Sequence, residues 1–488
     1  MSRQPSDVIA EFLTVDPARR LRLADEPGAR EPLRALLGED GFRELQALAR
    51  SAREPGHLAT RPVDLIFLPG VMGSVLASQG QGGIWWIDPR TRHRLDDLRL
   101  SPDGTTDEDE GFQVGPVVVD PGYDAFFTAT RGRSDLGYQG FPYDWRKPIA
   151  ADAARLRDAV LAAHAANGGR PVHLVAHSMG GLVVRTTLGR YPELWRQVGK
   201  VVFLATPHYG SPAIAGYLKN HFWGFSWFAV LGKYLSRRTF RSMWGVLALL
   251  PAPVGVYPGT RDDDPKPAEG GDRYPHPCAN FDLYDAHSWR LDGLTAEQED
   301  RLQTVLSAAG AAHRELHAWH EQLDQGKRDR MAVIAGVGYR TLFRVAFRRR
   351  LDPGLPSSVD FGWETMERVT KRIPGDRDRE GDGRVPLASA ELEHVGEVRY
   401  VRAVHGGLPN ERQVTDDVFR FLADEPMQLP RSAKAALHGH LGTHATSDGG
   451  GDDPGYLDLE PPSDGEVAKA EEALADGRLP AFDQLRIL

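Results

Sequence analysis

Short, nearly continuous apolar runs punctuate the chain. Val63, Leu65, Ile66, Phe67 and Leu68 form one within "RPVDLIFLPG" (61–70), which ends in Pro-Gly. Others are "VHLVAH" (172–177), "KVVFLATP" (200–207), "MAVIAGVG" (331–338) and "EVRYVRAV" (397–404). Runs of this length without polar alternation suit strands buried on both faces of a parallel sheet. Between several of them the period becomes helical. "DAARLRDAVLAAHAAN" (152–167) sets Leu156, Val160 and Leu161 near one face and precedes the strand at 172. Strands alternating with helices predict an α/β sheet.

Two stretches break that alternation. Residues 213–328 are rich in Trp, Phe and Tyr and contain a long helical segment, opened by a capping box from Thr295 to Gln298. They read as an inserted, mainly helical cap. Residues 340–380 read as a second, more charged insertion, with "RVAFRRR" (344–350) as a solvated basic face. Residues 1–58 alternate helical stretches with Pro and Gly and form a helical N-terminal extension. The expected division is the extension 1–58, core 59–212, cap 213–328, core again over 329–426, and an acidic, largely disordered tail over 427–488 with a candidate helix at 463–477.

Composition changes this picture little. Hydrophobic residues make up 41% and charged residues 26% of the 488, as in ordinary globular proteins. The single cysteine, Cys278, rules out an intramolecular disulfide framework. "MSRQPSDVIAEFL" has no signal-peptide apolar core, and the longest apolar runs are too short to span a bilayer. A cytoplasmic location is the expectation. Of the net charge of −9, residues 444–488 carry −8, from 11 acidic and 3 basic side chains. The rest is near neutral, which argues against nucleic-acid binding.

The chemistry concentrates at "VHLVAHSMGGLVVR" (172–185). A nucleophilic serine needs its hydroxyl held at the end of a strand, on a turn so sharp that the residues two before and two after it are small. Ala176-His177-Ser178-Met179-Gly180 meets that condition, with Ala in place of the usual first Gly. The helix that follows points its N-terminus at Ser178, where its dipole favours negative charge. A structural Ser-Gly turn is the alternative. Serine needs a base, and the base an orienting acid, in this fold in the order Ser, acid, His. His405 directly follows the strand at 397–404, at the sheet edge where such sites lie. His438, His440 and His444 fall in the tail, and His208 in "TPHYGS" is a structural or pocket residue. Asp382, between glycines in "EGDGRVPLAS", is the candidate acid. A solvated charged loop and half a calcium loop are its other readings, and the latter lacks a closing glutamate. An oxyanion needs two backbone N–H donors. Met179, after the nucleophile, and Val71, in "LPGVMGS", are the candidates; a plain βα turn explains the second equally.

Several of these motifs recur together in one family. "VDLIFLPGVMGSVL", "GYQGFPYDWR" (137–146), "HLVAHSMGGLVVR", "FLATPHYGSP" (203–212), "VIAGVGYRT" (333–341), "GDGRVPLAS" and "VHGGLPN" (404–410) occur in order over about residues 61–425. The chain resembles the lecithin:cholesterol acyltransferase and phospholipid:diacylglycerol acyltransferase family of α/β-hydrolases. The resemblance implies an α/β-hydrolase fold, Ser178 as nucleophile, Asp382 as acid and His405 as base. It also implies Val71 and Met179 as oxyanion donors and a mobile lid in the cap. Ala176 departs from the family pattern, and residues 1–58 and the acidic tail have no recognised counterpart.

A lipid ester is the expected substrate, at a membrane surface or free of one. Phe222, Trp223, Phe225, Trp227, Phe228 and Trp244 crowd together among Lys233, Arg237, Arg238 and Arg241. Aromatics beside cations suit a lid that docks on lipid and shields an acyl chain, and equally a cap helix packed on the core. In "PYDWR", Asp144 and Arg146 are expected to pair beside Trp145. The implied reaction is acyl transfer from a lipid ester through an acyl-serine, to water or to an alcohol, according to how well the cap excludes water. No cofactor or metal is expected: a lone cysteine and no histidine pair at zinc spacing form no site. The rival readings are another serine esterase or thioesterase, and a non-catalytic interaction protein on a hydrolase scaffold.

Overall fold

The computed structural model describes residues 4–51, 62–86, 88–133, 136–219, 235–264, 276–278, 280–350, 358–365 and 381–438, with isolated positions 472 and 476. The strands, in chain order, are β1 (Leu65–Leu68), β2 (Ser74–Ser78), β3 (Ile84–Trp86), β4 (Val114–Val119), β5 (Tyr138–Gly140), β6 (Val172–His177), β7 (Val198–Leu204), β8 (Met331–Val337), β9 (Leu342–Arg350), β10 (Ser358–Thr365) and β11 (Glu397–Arg402). Six of them pair in the order β11-β8-β7-β6-β1-β5, every neighbour parallel. All five apolar runs of the sequence are in this sheet. β5 was not legible: three residues with a Gln and a Gly at a sheet edge give no apolar run. Two antiparallel units flank it, β3-β2-β4 and the hairpin β9-β10.

The sheet is buried on both faces, which is why its strands lack polar alternation. Leu65, Phe67, Val175, Val202 and Ile334 pack into one core with Phe126, Phe127 and Phe419. Their neighbours Ile66, Leu68, Leu174, Ala176, Val201, Phe203 and Val333 enter the other. That is the two-residue period of a strand, with both faces apolar. The helices with labels are α1 (Pro5–Thr14), α2 (Pro17–Leu23), α3 (Arg30–Ser51), α4 (Asp124–Arg131), α5 (Ala153–Ala166), α6 (Met179–Arg190) and α7 (Ala213–Lys219). In α5 the buried stripe runs Leu156, Val160, Ala163, and Leu161 is 41% exposed. A residue one position past Val160 sits about 100° round the helix, so Leu161 leaves the apolar face that the sequence assigned it to. Thr295 and Gln298 form the expected capping box, and the helix runs Ala296–Glu321.

Two regions differ from their sequence reading. Residues 342–350 and 358–365 pair as a hairpin, and Arg344, read as part of a solvated patch, is 2% exposed. The chain also does not leave the body at 427. Met427 and Leu429 are buried, both carboxylate oxygens of Asp417 accept N–H bonds from Gln428 and Leu429, and Tyr400 N–H donates to Pro430 O. A helix at Ala433–His438 then packs on β11. Two apolar anchors and a buried carboxylate outweigh the Pro- and Asp-rich composition there. The candidate helix at 463–477 falls, apart from positions 472 and 476, outside the described residues.

The N-terminal helices are joined to the core through a buried charge. Arg20 in α2 is fully buried, donates to Val119 O at the end of β4, and lies 3.2 Å from Asp124 at the start of α4. Burial raises the Asp124 carboxyl from 3.8 to about 7 against the pull of Arg20. Removing one member of a buried pair leaves a desolvated charge and costs roughly 3–5 kcal/mol. Because the loss of Arg20 lets Asp124 take up a proton in place of a stranded charge, Arg20→Met should lower thermal and urea stability at pH 7 by less than that full amount. The folded pKa exceeds the ordinary value, so between them the folded protein holds a proton that the unfolded chain lacks, and stability from this group rises as pH falls. The penalty of Arg20→Met should shrink toward pH 5, where a neutral Asp124 needs no partner. Urea titrations of both proteins at the two pH values check this.

Candidate active site

β6 ends at His177, and the chain reverses into α6 at Ser178. There φ is 50° and ψ −127°, outside the regions open to most residues. The turn is held by close packing. A Cβ on Gly180 would lie 2.5 Å from Pro69 O and 2.9 Å from Leu68 O, so the end of β1 leaves no room for a side chain there. Ala176 is fully buried in β6, paired with Phe203 and Leu68, and its methyl is accommodated where the family pattern has Gly.

Ser178, Asp382 and His405 meet at the carboxyl edge of the sheet. Ser178 Oγ is 2.9 Å from His405 Nε2, and His405 Nδ1 is 2.7 Å from Asp382 Oδ2. All three are at most 3% exposed. The other oxygen of Asp382 accepts N–H bonds from Arg384 (2.9 Å) and Val385 (2.7 Å). Its partners are all donors, which fits an ionised carboxylate. His405 Nδ1 then carries the hydrogen and donates it, leaving Nε2 free to accept from the Ser178 hydroxyl. The backbone reinforces the pair, because His405 N–H donates to Asp382 O. Asp382 is thus buried and not part of a solvated loop. Among the described residues no group of three or more His, Cys, Asp or Glu could hold a metal ion.

Val71 lines the cavity beside Ser178, and Met179 is the first residue of α6. Among the described residues, neither amide donates to a backbone carbonyl. The cavity holds about 40 Å³ and is walled mainly by Val71, Ile214, Tyr217, Val246, Leu249 and Val385. Sequence reasoning did not single out the last five, because residues from α7, from the helix Trp244–Leu247 and from the loop after Asp382 meet only in the fold.

The aromatic set divides. Phe222, Trp223, Trp227 and Phe228 lie outside the described residues. Trp244 does not face Ser178. Its ring lies against Gly104, where a Cβ would come within 2.5 Å of it, and it lines a separate groove with Arg185 and Trp319. Val246, two residues on, faces the cavity instead. Successive residues in a short helix point about 100° apart, so one helix presents Trp244 to the groove and Val246 to the cavity.

The remaining motif residues have structural partners. Arg146 is fully buried and donates to Asp144 Oδ2 (2.7 Å), Asp107 Oδ1 (2.8 Å), Leu98 O and Val114 O. Asp107 was not read as a partner, since 39 residues separate it from Arg146. His208 turns toward Arg185, with 3.3 Å between Nδ1 and Nη1, and burial holds its imidazole well below the usual range. His177 points away from the Ser178 hydroxyl, into a contact with Tyr123 (2.8 Å). Tyr123 was missed altogether, because nothing in its own stretch of sequence marks it.

The lecithin:cholesterol acyltransferase family profile matches residues 133–252, the segment that contains Ser178. A curated Arabidopsis thaliana protein, phospholipase A(1) LCAT3, is 25% identical over 331 residues, covering 64% of this chain and 70% of its own length. Among solved structures, a chain of the Tle4-Tli4 complex is similar with a TM-score of 0.48 and 15% identity, over 75% of this chain and 98% of its own. The mature Bacillus licheniformis lipase BlEst2 gives 0.35 and 11%, over 75% and 94%. Among the described residues no helix is long and apolar enough to cross a membrane. The family profile over the serine turn and the curated relative point the same way: over these stretches the chain is similar to the lecithin:cholesterol acyltransferase family.

Proposed function

We propose that the protein is a serine-dependent enzyme that takes an acyl group from a lipid ester and passes it to water or to an alcohol. The carrying observation is the hydrogen-bond series Ser178–His405–Asp382, at 2.9 and 2.7 Å, opening on an apolar cavity. His405 Nε2 takes the hydroxyl proton as Ser178 Oγ attacks the ester carbonyl carbon. Asp382 holds the imidazole in the Nδ1–H tautomer and stabilises the imidazolium. The carbonyl π electrons move to oxygen, and the amides of Val71 and Met179, with the N-terminus of α6 behind them, receive that oxyanion. Collapse expels the alcohol of the lipid, which leaves with the proton from His405. An acyl-serine remains. Water or an acceptor alcohol, deprotonated by His405, attacks it and regenerates Ser178.

The walls of the cavity favour an acyl chain over a polar acid. Its volume holds roughly three waters, so a long chain enters only when the walls part. Ala213, Ile214, Tyr217, Val246 and Leu249, all within 213–328, form much of that wall. This supports the reading of 213–328 as a cap. The name of the Arabidopsis relative favours a glycerophospholipid as the acyl donor, and the family description favours an alcohol acceptor as the second outcome.

Ser178→Ala should abolish both labelling by a fluorophosphonate and ester turnover, and Asp382→Asn should lower kcat by about 10³–10⁴-fold with the serine still labelled. Equal labelling of wild type and Ser178→Ala would exclude Ser178 as nucleophile. Leu249→Trp narrows the cavity without touching the hydrogen-bonded series. It should depress turnover of long-chain phospholipid about tenfold or more beyond its effect on a nitrophenyl acetate. Equal effects on both esters would place the acyl chain elsewhere. Products formed from phospholipid with and without an added alcohol identify the acceptor.

A further inference from the structure

A second chain of hydrogen bonds lies beneath the Ser178–His405 pair, and the mechanism above makes no use of it. Gly70 N–H donates to Tyr123 Oη at 2.9 Å. Tyr123 Oη is 2.8 Å from His177 Nδ1, and His177 Nε2 is 3.0 Å from the backbone oxygen of His405. His177 is 1% and Tyr123 8% exposed. The chemistry of the groups fixes every proton. A carbonyl only accepts, so His177 Nε2 carries a hydrogen and donates it to His405 O. Tyr123 Oη accepts from Gly70, and its own hydrogen goes to the bare Nδ1. One neutral tautomer of His177 satisfies the chain. A second proton would occupy Nδ1 and strand the tyrosine hydroxyl. Burial and the neighbouring His405 ring, 5.0 Å between centroids, oppose that proton.

These bonds join three separate stretches of chain. Gly70 precedes Val71 in the loop after β1, His177 precedes Ser178, and His405 lies after β11. The spacing among those three stretches is what acyl transfer requires to be fixed. A Cβ on Gly70 would lie 2.9 Å from Ser178 Cβ and 3.1 Å from His177 Nδ1, so the loop already rests on the turn. The Tyr123 bond also occupies the Gly70 amide, leaving the next one, on Val71, to face a developing oxyanion.

We propose that His177 and Tyr123 are positioning residues, which clamp the backbone of His405 and the loop carrying Val71 to the strand end that carries Ser178. The proposal rests on the reading of Ser178 as nucleophile. It assigns His177 a task distinct from that of His405: it exchanges no proton with substrate and works as a rigid two-ended hydrogen-bond bridge.

Tyr123→Phe is the sharpest test, because the ring keeps its packing on Phe67, 5.1 Å between centroids, and only the hydroxyl is lost. A misplacement approaching 1 Å costs up to about 10²-fold in rate. Tyr123→Phe should lower kcat on a short ester by roughly 10- to 100-fold, leave KM within about twofold, and slow fluorophosphonate labelling by the same factor while labelling still reaches completion. His177→Leu should lose more. His177→Gln, whose amide N–H can still meet the His405 carbonyl, should recover part of that loss at equal thermal stability. A purely structural role predicts rates that follow the fraction of folded, titratable enzyme, with no rescue by Gln. That result, or an unchanged kcat in Tyr123→Phe, overturns the clamp. Ser178→Ala separates the two failures: undiminished labelling there removes the acyl-transfer reading, whereas lost labelling there with unchanged Tyr123→Phe removes only the clamp.

Discussion

The turn at Ser178 is the constraint on which the site depends. A serine at φ 50° and ψ −127° is strained, and such a conformation persists only where its surroundings over-determine it. Here the surroundings are backbone. β1 and β6 are paired in register through Leu68 and Ala176, and the end of β1 passes so close to Gly180 that no Cβ fits. The strain lifts the hydroxyl out of the sheet and starts α6 directly behind it.

Around that turn, the polar groups are buried and fix one another. Asp382 spends one oxygen on two backbone amides and the other on His405, so the carboxylate cannot rotate without losing three bonds. Arg146 does the same for the floor of the core, with two carboxylates and two carbonyls on one guanidinium. Arg20 extends the pattern to the N-terminal helices. Its reach is to Val119 and Asp124, which flank the turn that presents Tyr123. The N-terminal extension is therefore packed against the support of the loop that bears Val71. Groups held this way need little reorganisation as charge moves during a reaction, which is the physical content of a preorganised site.

Strand content was readable because a parallel sheet covered on both faces demands unbroken apolar runs, and five such runs are present. The serine turn was readable because its steric demand is local: small residues at fixed offsets within ten residues of sequence. The meeting of His405 and Asp382 with Ser178 was expected from chain order and from the resemblance to the acyltransferase family. What failed to register has a common cause. β5 is too short and too polar at its edge position, Arg344 is buried by partners distant in sequence, and Leu429 is anchored by Asp417 in spite of a disorder-like composition.

The sequence by itself determined the five long strands of the sheet, where the chain must turn sharply, and which hydroxyl that turn would present at the sheet edge. Those properties come from periodicity and from side-chain size, and both act over a few residues. Tertiary structure alone decided who touches whom across long separations: Asp107 with Arg146, Tyr123 with His177, and Val246 rather than Trp244 against the cavity. Such contacts depend on how sheet order and helix rotation bring distant segments together, and no local pattern of residues encodes that.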